Sequence, residues 1–459
     1  MKVPARPPAF QACFSALAAS QPVDVAGFSS VDSRGRYLHW DELRHRTPPK
    51  GLSHEAWWGA FKLSRNSASK PLGLLDPEGR AFSYGLPDQV LRSLHSIDSN
   101  SHGSIGMGGQ LRSSQARDQY IVTSLMEEAI TSSQLEGAST TRKVAKEMLR
   151  TKRKPRTKHE QMIFNNYRAM EWVREHVDEP LSPALVFELH RHVTVDTLDD
   201  SEDAGRLRRP DETIFVVSDT GEVLHEPPPA ESLEERLDAM CAFANDDGET
   251  GPFMPPIVRA ILVHFWLAYD HPFVDGNGRT ARALFYWSAL RSKYWLLEFV
   301  TISSVIKKAP AKYGRAFLHA ETDDNDATYF IIHQLDVITR AIENLRGYIQ
   351  RSVEDQRAFQ GALRTCSQYN HRQTALLRHA LRHPGADYTI AEHQSYHAVT
   401  YQTARTDLLS LEKAGLLRSW KPSKALHFGP VPNLERVLRE TTEIEESGPP
   451  RRRASIDDW

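Results

Sequence analysis

The sequence predicts a mainly α-helical protein with one short β-hairpin inserted among helices and a helix-turn-helix module near its end. Three observations carry that reading. Apolar residues recur at spacings of three and four over 118–135, at Ile121, Val122, Leu125, Met126, Ala129 and Ile130, as on an amphipathic helix. A β-rich run at 213–217, the turn residues Ser218-Asp219-Thr220-Gly221 and a return at 222–224 make a hairpin that Pro227, Pro228 and Pro229 end. In the last hundred residues three helical patterns precede two short strand patterns, 416–420 and 425–428, which is the order of a winged helix-turn-helix.

The elements follow in order. Residues 1–100 mix apolar runs, turn-rich pieces and the pair Trp57-Trp58, a folded region without a chemical motif. The Ser/Gly-rich stretch 100–109 reads as a linker. Gly137 is a natural stop for the helix 118–135. Residues 142–158 are strongly basic and broken by Pro155, and are expected to be a solvated connector. Helices follow at 160–177 and 182–195, the second with Ser182 as N-cap and Pro183 at its first position. After a helix at 232–243, Pro255-Pro256 opens the helix 257–269, which is apolar on nearly every face and should form the buried centre. The loop 270–278, helices at 279–293, 312–321 and 329–359, and helices at 371–382, 390–397 and 400–414 complete the pattern. The tail 445–459, with Gly448-Pro449-Pro450 and Arg451-Arg452-Arg453, is expected to be disordered.

With 459 residues the chain is long enough for two or three cores. Its 57 Lys and Arg against 59 Asp and Glu give a net charge of −2, so a nucleic acid or anionic membrane would have to meet a local patch. Cys13, Cys241 and Cys366 form no CxxC pair, which excludes a thiolate zinc site or disulfide framework and fits a reducing cytoplasm. No run of about 18 apolar residues predicts a membrane span.

The segment His271-Pro272-Phe273-Val274-Asp275-Gly276-Asn277-Gly278-Arg279-Thr280-Ala281-Arg282, set between two apolar helices, carries the chemistry. Gly276-Asn277-Gly278 allows a tight turn whose N–H groups face an anion at the start of a helix. Arg279 and Arg282, three positions apart, can grip phosphate oxygens. Asp275 is a hard oxygen ligand suited to Mg²⁺ beside nucleotide phosphates. A neutral His271 could accept the proton of an attacking hydroxyl, while Phe273 would bury the loop and fix it. A calcium loop is excluded, because Thr280 stands at its central glycine and Tyr286 at its closing glutamate. A loop histidine alone is usually structural; base, carboxylate, glycine turn and two arginines together reverse that.

The segment matches HxFx(D/E)GNGRxxR at every specified position and so resembles the signature of the Fic-domain family. The resemblance implies a Fic helical core that transfers AMP from ATP to a Ser, Thr or Tyr hydroxyl of a protein and releases pyrophosphate. It makes His271 the base and Asp275 the magnesium ligand. Phe273, Gly276, Asn277, Gly278, Arg279, Thr280, Ala281 and Arg282 become the ATP-binding residues. Ser132-Ser133-Gln134-Leu135-Glu136-Gly137 resembles the family's inhibitory pattern (S/T)xxxE(G/N), with Ser132, Glu136 and Gly137 at its specified positions. A carboxylate at a helix C terminus is disfavoured by about 0.3–1 kcal/mol and needs a cation, which the resemblance identifies as Arg282. The hairpin, with Ile214, Phe215, Val216 and Val217, falls where the family has its target-docking flap. Residues 302–306 and Tyr313 resemble the region supporting the nucleotide base, with Lys307-Lys308-Ala309 in place of the asparagine and aromatics common there.

The expected organisation is therefore mainly α: an N-terminal accessory region (1–109), an inhibitory helix and Fic core with a β-hairpin flap (110–350), a winged helix-turn-helix module (360–440) and a tail (445–459). Expected partners are ATP, Mg²⁺ and a target protein that could be the chain itself. DNA, through Tyr401, Gln402, Thr403 and Arg405 of the winged helix, and a second copy of the chain are further candidates; a membrane is not. Two alternatives stay open: a DNA-binding regulator whose Fic core senses nucleotide, and a Fic enzyme that uses another donor or removes AMP.

Overall fold

The computed structural model describes residues 2–20, 29–102, 114–218, 220–246, 248, 252–365, 369–383, 385–421, 425–434 and 436–438. The expected tail at 445–459 lies outside them. Two compact units divide the chain, Met1–Leu345 and Arg346–Trp459.

The first unit begins with α1 (Phe10–Ala19), α2 (Trp40–Leu43) and α3 (His54–Ala68), then a two-stranded antiparallel sheet of β1 (Lys70–Leu75) and β2 (Ala81–Tyr84), and α4 (Asp88–His102). The sheet was not expected from sequence: its apolar residues alternate, but Pro71 and Gly73 interrupt the strand signal. The expected linker at 100–109 is corrected at its start, because α4 continues to His102; the remainder lies outside the described residues. These elements join the helical core directly. Phe82 of β2 meets Phe265 edge-on, with ring centroids 5.4 Å apart, a favourable quadrupole arrangement. Lys62 and Arg65, both buried, reach Asp323 and Tyr329: Lys62 Nζ lies 2.9 Å from Asp323, Arg65 donates to the Tyr329 hydroxyl at 2.8 Å, and that hydroxyl donates to Asp323 at 2.8 Å. Breaking such a buried pair on one side leaves a charge uncompensated. Lys62→Met is expected to cost about 3 kcal/mol of stability, read by urea denaturation.

The core itself comprises α5 (Ser114–Leu135), α6 (Arg142–Thr151), α7 (Lys158–Glu175), α8 (Pro183–Thr194), the hairpin β3 (Val216–Val217) and β4 (Val223–His225), α9 (Leu233–Asn245), α10 (Pro256–Asp270), α11 (Asn277–Arg291), α12 (Ile302–Ile306), α13 (Pro310–Thr322) and α14 (Thr328–Thr365). The consecutive helices α10 and α11 pack on each other as its centre, and both are buried on nearly all faces, as their apolar sequences require. Ser182 caps α8 and Pro183 opens it, as expected.

The basic stretch after Gly137 is not a connector. Thr141 caps α6, whose Ala145, Met148 and Leu149 pack on Met126, Ile130, Met162 and Ile163, so the cations occupy only its outer side. The hairpin is also shorter than expected. Val216 pairs with His225 and Val217 with Val223, while 213–215 have no ladder partners. Residues Pro227 and Pro228, which would face them, lack the N–H a ladder needs.

α14 runs through the boundary into the second unit. There α15 (His371–Arg382), β5 (Tyr388–Thr389), α16 (Ile390–His397), α17 (Tyr401–Lys413), β6 (Leu417–Trp420) and β7 (His427–Pro430) surround Leu377, Leu408, Leu411 and Phe428. The sheet is antiparallel with order β5-β7-β6. Asp407, which in sequence dilutes the positive charge of α17, points inward instead: it is buried on Arg372 at 2.6 Å and His393 at 3.2 Å.

Candidate active site

The loop from His271 to Gly276 joins the C terminus of α10 to the N terminus of α11, and each contact in it has a local cause. His271 leaves the helix with φ of 45°, a left-handed conformation uncommon outside glycine. Asn277 clamps the loop: its side-chain oxygen accepts from Phe273 N–H at 2.9 Å and its amide donates to the Phe273 carbonyl at 2.7 Å. Phe273, fully buried, stacks on His190 of α8 with centroids 3.8 Å apart. His190 Nδ1 accepts from Gly205 N–H at 2.8 Å, so its proton sits on Nε2 and is donated to the Asp275 carbonyl at 2.8 Å. Burial lowers the His190 pKa to about 4 and keeps it neutral. Gly276 has φ of 87°, and a Cβ there would fall 2.8 Å from Thr194 Cγ2, so only glycine fits.

His271 is held for proton transfer. Its Nδ1 faces the Ala268 carbonyl at 3.4 Å, which favours the proton on Nδ1, and Nε2 accepts no hydrogen bond among the described residues. Burial and then the neighbouring His225 push its pKa down to about 4, so the ring is neutral near pH 7. His225 ends β4 and is buried, with Nδ1 2.8 Å from Glu321 and Nε2 2.7 Å from the Tyr269 carbonyl. Two acceptors want both ring nitrogens protonated; although burial opposes it, Glu321 raises the pKa. Arg208 supplies a second tie, donating from its backbone N–H to the Pro272 carbonyl at 2.9 Å, from Nε to the His271 carbonyl at 3.1 Å, and to the Pro228 carbonyl.

The two motif arginines take different places. Arg279 is fully buried, donates to the Val193 carbonyl at 2.9 Å and lies 3.5 Å from Asp275. Arg282 is buried among the last residues of α5: Nε donates to Ser132 Oγ at 2.8 Å, and a terminal nitrogen donates to the Ser132 carbonyl at 3.1 Å and to Glu136 at 2.8 Å. Gly137, with φ of 90°, ends that helix as its sequence position implies. Glu136 also fills the space over Gly278, where an added Cβ would collide with its carboxylate. Burial would raise the Glu136 pKa, but Arg282 outweighs it and holds the group below the ordinary carboxylate value. Thr280 and Ala281 are fully buried under the turn, and Thr280 Oγ1 donates to the Gly276 carbonyl at 2.9 Å.

Asp275 is the exposed carboxylate of the loop, with its side chain 54% exposed and one oxygen accepting from Gly276 N–H at 2.6 Å. Among the described residues no group of three His, Cys, Asp or Glu could hold a metal. A single exposed carboxylate nevertheless fits Mg²⁺, which takes one or two protein carboxylates and completes its shell with phosphates and water. The hairpin presents Phe215 and Val217 to solvent, 44% and 55% exposed, with Ile214 and Val216 half-buried.

Sequence reasoning missed His190, Arg208, His225 and Glu128. The last is a buried carboxylate on α5 that accepts from Ser303 N–H at 3.1 Å and from Ser303 Oγ, with the Tyr286 hydroxyl 3.0 Å away. Burial raises its pKa. The one signal available was chemical: a glutamate on the apolar side of 118–135 needs buried partners.

The helical stretch whose central loop sets a neutral histidine beside a glycine turn at a helix N terminus lies within residues 180–289, which match the Fic/DOC family model. That match gives this stretch of the chain a Fic domain. It is 40% identical over 100 residues to the protein adenylyltransferase Fic of Nematostella vectensis, covering 22% of this chain and 20% of that one. To the protein adenylyltransferase fic-1 of Caenorhabditis briggsae it is 35% identical over 109 residues, 24% and 19% of the two chains. It thus spans about a fifth of the length of these curated relatives. Among solved structures, a Fic family protein from Desulfovibrio desulfuricans G20 aligns with a TM-score of 0.48 at 18% identity, over 74% of this chain and 94% of that one. A fragment of Fic-1 from C. elegans aligns with a TM-score of 0.44 at 22% identity, over 57% and 72%. Among the described residues no helix is long and apolar enough to cross a membrane.

Proposed function

We propose that the chain is an autoinhibited protein adenylyltransferase. The observation that carries this reading is the neutral His271, with Nε2 accepting no hydrogen bond among the described residues, fixed beside the Gly276-Asn277-Gly278 turn at the start of α11. A Ser, Thr or Tyr oxygen of a protein attacks the α-phosphorus of ATP; its proton passes to His271 Nε2, the bond from the α-phosphorus to the bridging oxygen breaks, and pyrophosphate leaves. The N–H groups at the start of α11 and its dipole favour the phosphate charge. Asp275 would hold Mg²⁺, which when bound neutralises phosphate charge.

Glu136 supports the inhibitory part of the reading twice over. It engages the Arg282 guanidinium, and it fills the space over Gly278 that phosphate oxygens need. ATP then lacks its clamp and the in-line pose. The test is Glu136→Gly with Mg²⁺ and α-labelled ATP, scored by intact mass. A gain of one AMP on the chain or an added protein is expected, with label from the α but not the γ position. Transfer only from another nucleotide, or none with ATP demonstrably bound, overturns it.

The second unit has the order of a winged helix-turn-helix, and α17 exposes Tyr401, Gln402 and Arg405 on its first turns. That surface favours duplex DNA as a partner of this unit, alongside the transferase activity. Binding that weakens steeply with salt and with Arg405→Ala would bear this out.

A further inference from the structure

Beside the β3–β4 hairpin lies a groove of about 640 Å³, and its two walls come from distant parts of the first unit. One wall is the hairpin and its return as far as Glu231. The other is the β1–β2 turn, with Asp76, Glu78 and Arg80, and Arg6. Tyr269 and Glu321 line it as well. The groove is tied to the catalytic loop by the side chains that line it: His225 meets the Tyr269 carbonyl at 2.7 Å, and Arg208 donates to the His271 carbonyl at 3.1 Å.

The charges in the groove are not equally free. Asp76 is taken by Arg80 at 2.7 Å and by Asn325 at 2.8 Å, and Glu321 by His225 at 2.8 Å. Arg80 also lies 3.3 Å from Glu78, and the buried Arg208 directs its hydrogens to carbonyls. Glu226 and Glu231 are exposed and make no ion pair among the described residues. Phe215 and Val223, 44% and 50% exposed, give the same wall an apolar face. Arg6 is the one exposed lining cation that makes no ion pair among the described residues, against two such carboxylates, so an anionic nucleic acid or lipid surface would meet a net negative lining.

We propose that this groove receives the part of the target protein flanking the modified hydroxyl, and that it selects an extended segment in which Lys or Arg stands beside apolar residues. The inference rests on the transferase reading for the nearness to His271 and adds to it the chemistry of the target. Backbone pairing with the hairpin says little about target sequence; Glu226 and Glu231 supply the discrimination through charge complementarity, which governs partner choice more than raw affinity. It also gives the N-terminal region a role, as the opposite wall.

The test is fluorescence anisotropy of the full chain, without nucleotide, against two fluorescein-labelled peptides, Lys-Val-Thr-Val-Lys and Glu-Val-Thr-Val-Glu. The basic peptide is expected to bind about tenfold more tightly, since each rim charge contact changes affinity by up to about fivefold. The preference should shrink between about 50 and about 300 mM salt. The double variant Glu226→Lys/Glu231→Lys, at exposed positions that leave the fold intact, should reverse it, and Glu78→Lys should weaken it in the same direction. Equal binding of the two peptides, tighter binding of the acidic one, or a preference the double variant leaves unchanged would sink the proposal. A charge preference that persists while no AMP transfer is detected would fault the transferase reading instead and leave the groove standing.

Discussion

In the Glu136→Gly background, His271→Ala lowers AMP transfer by about 10²–10⁴-fold, the usual contribution of a positioned general base, while ATP binding stays the same. The split between rate and binding follows from geometry: no phosphate-facing group is removed, only the acceptor of the hydroxyl proton. The pH profile adds a sharper expectation. His271 acts in its neutral form, and burial with the neighbouring His225 lowers its pKa to about 4. Because the folded pKa is depressed, the active form persists as pH falls through 6 and is lost only on approach to 4. The rate of the Glu136→Gly chain should therefore be level from about pH 6 to about pH 8, where an ordinary histidine near 6.5 would already show loss. A midpoint near 6.5 in single-turnover transfer would show that the ring is not held in a desolvated, cation-flanked setting during the reaction.

How much of this could be read from the chain depends on distance along it. The loop from His271 to Arg282 was legible because its chemistry is local: Asn277 clamps Phe273 four residues away and Arg279 sits four from Asp275. The helices with clean apolar spacing were legible for the same reason, and so was the end of α5 at Gly137. The residues that hold the loop were not. His190 reaches Asp275 across 85 positions, Arg208 reaches His271 across 63, and Glu128 reaches Ser303 across 175; no spacing rule connects them. The basic stretch was misread because Lys and Arg dominate it in number, whereas three residues, Ala145, Met148 and Leu149, decide where α6 packs. The hairpin was over-extended because β propensity at Thr213 and Ile214 could not register that Pro228 and Pro227 stand opposite.

Glu136→Gly should raise AMP transfer about tenfold to a hundredfold over the unaltered chain, the rate equivalent of one hydrogen bond to a charged group, about 1.5–3 kcal/mol. Two effects are removed at once, the hold on Arg282 and the filling of the space over Gly278, and Glu136→Gln separates them. Glutamine keeps the bulk and can accept a weaker bond from Arg282, so steady-state transfer from α-labelled ATP should rank Gly above Gln above the unaltered chain. If Gln equals Gly, the charge alone inhibits; if Gln equals the unaltered chain, the bulk does. Acid is not a substitute for either change. Burial would favour protonation of Glu136, but Arg282 holds its pKa below the ordinary 4.5, so the carboxylate stays charged until the pH at which His271 itself begins to take up a proton. The unaltered chain should then show no acid-activated window in transfer assays from pH 4 to 8. Under that reading, release has to come from moving the end of α5, and that helix is anchored eight residues before Glu136 by Glu128 in its socket of Ser303 and Tyr286. If the proposed inhibition holds, a releasing signal would act on the seat of a helix rather than on the charge of one carboxylate.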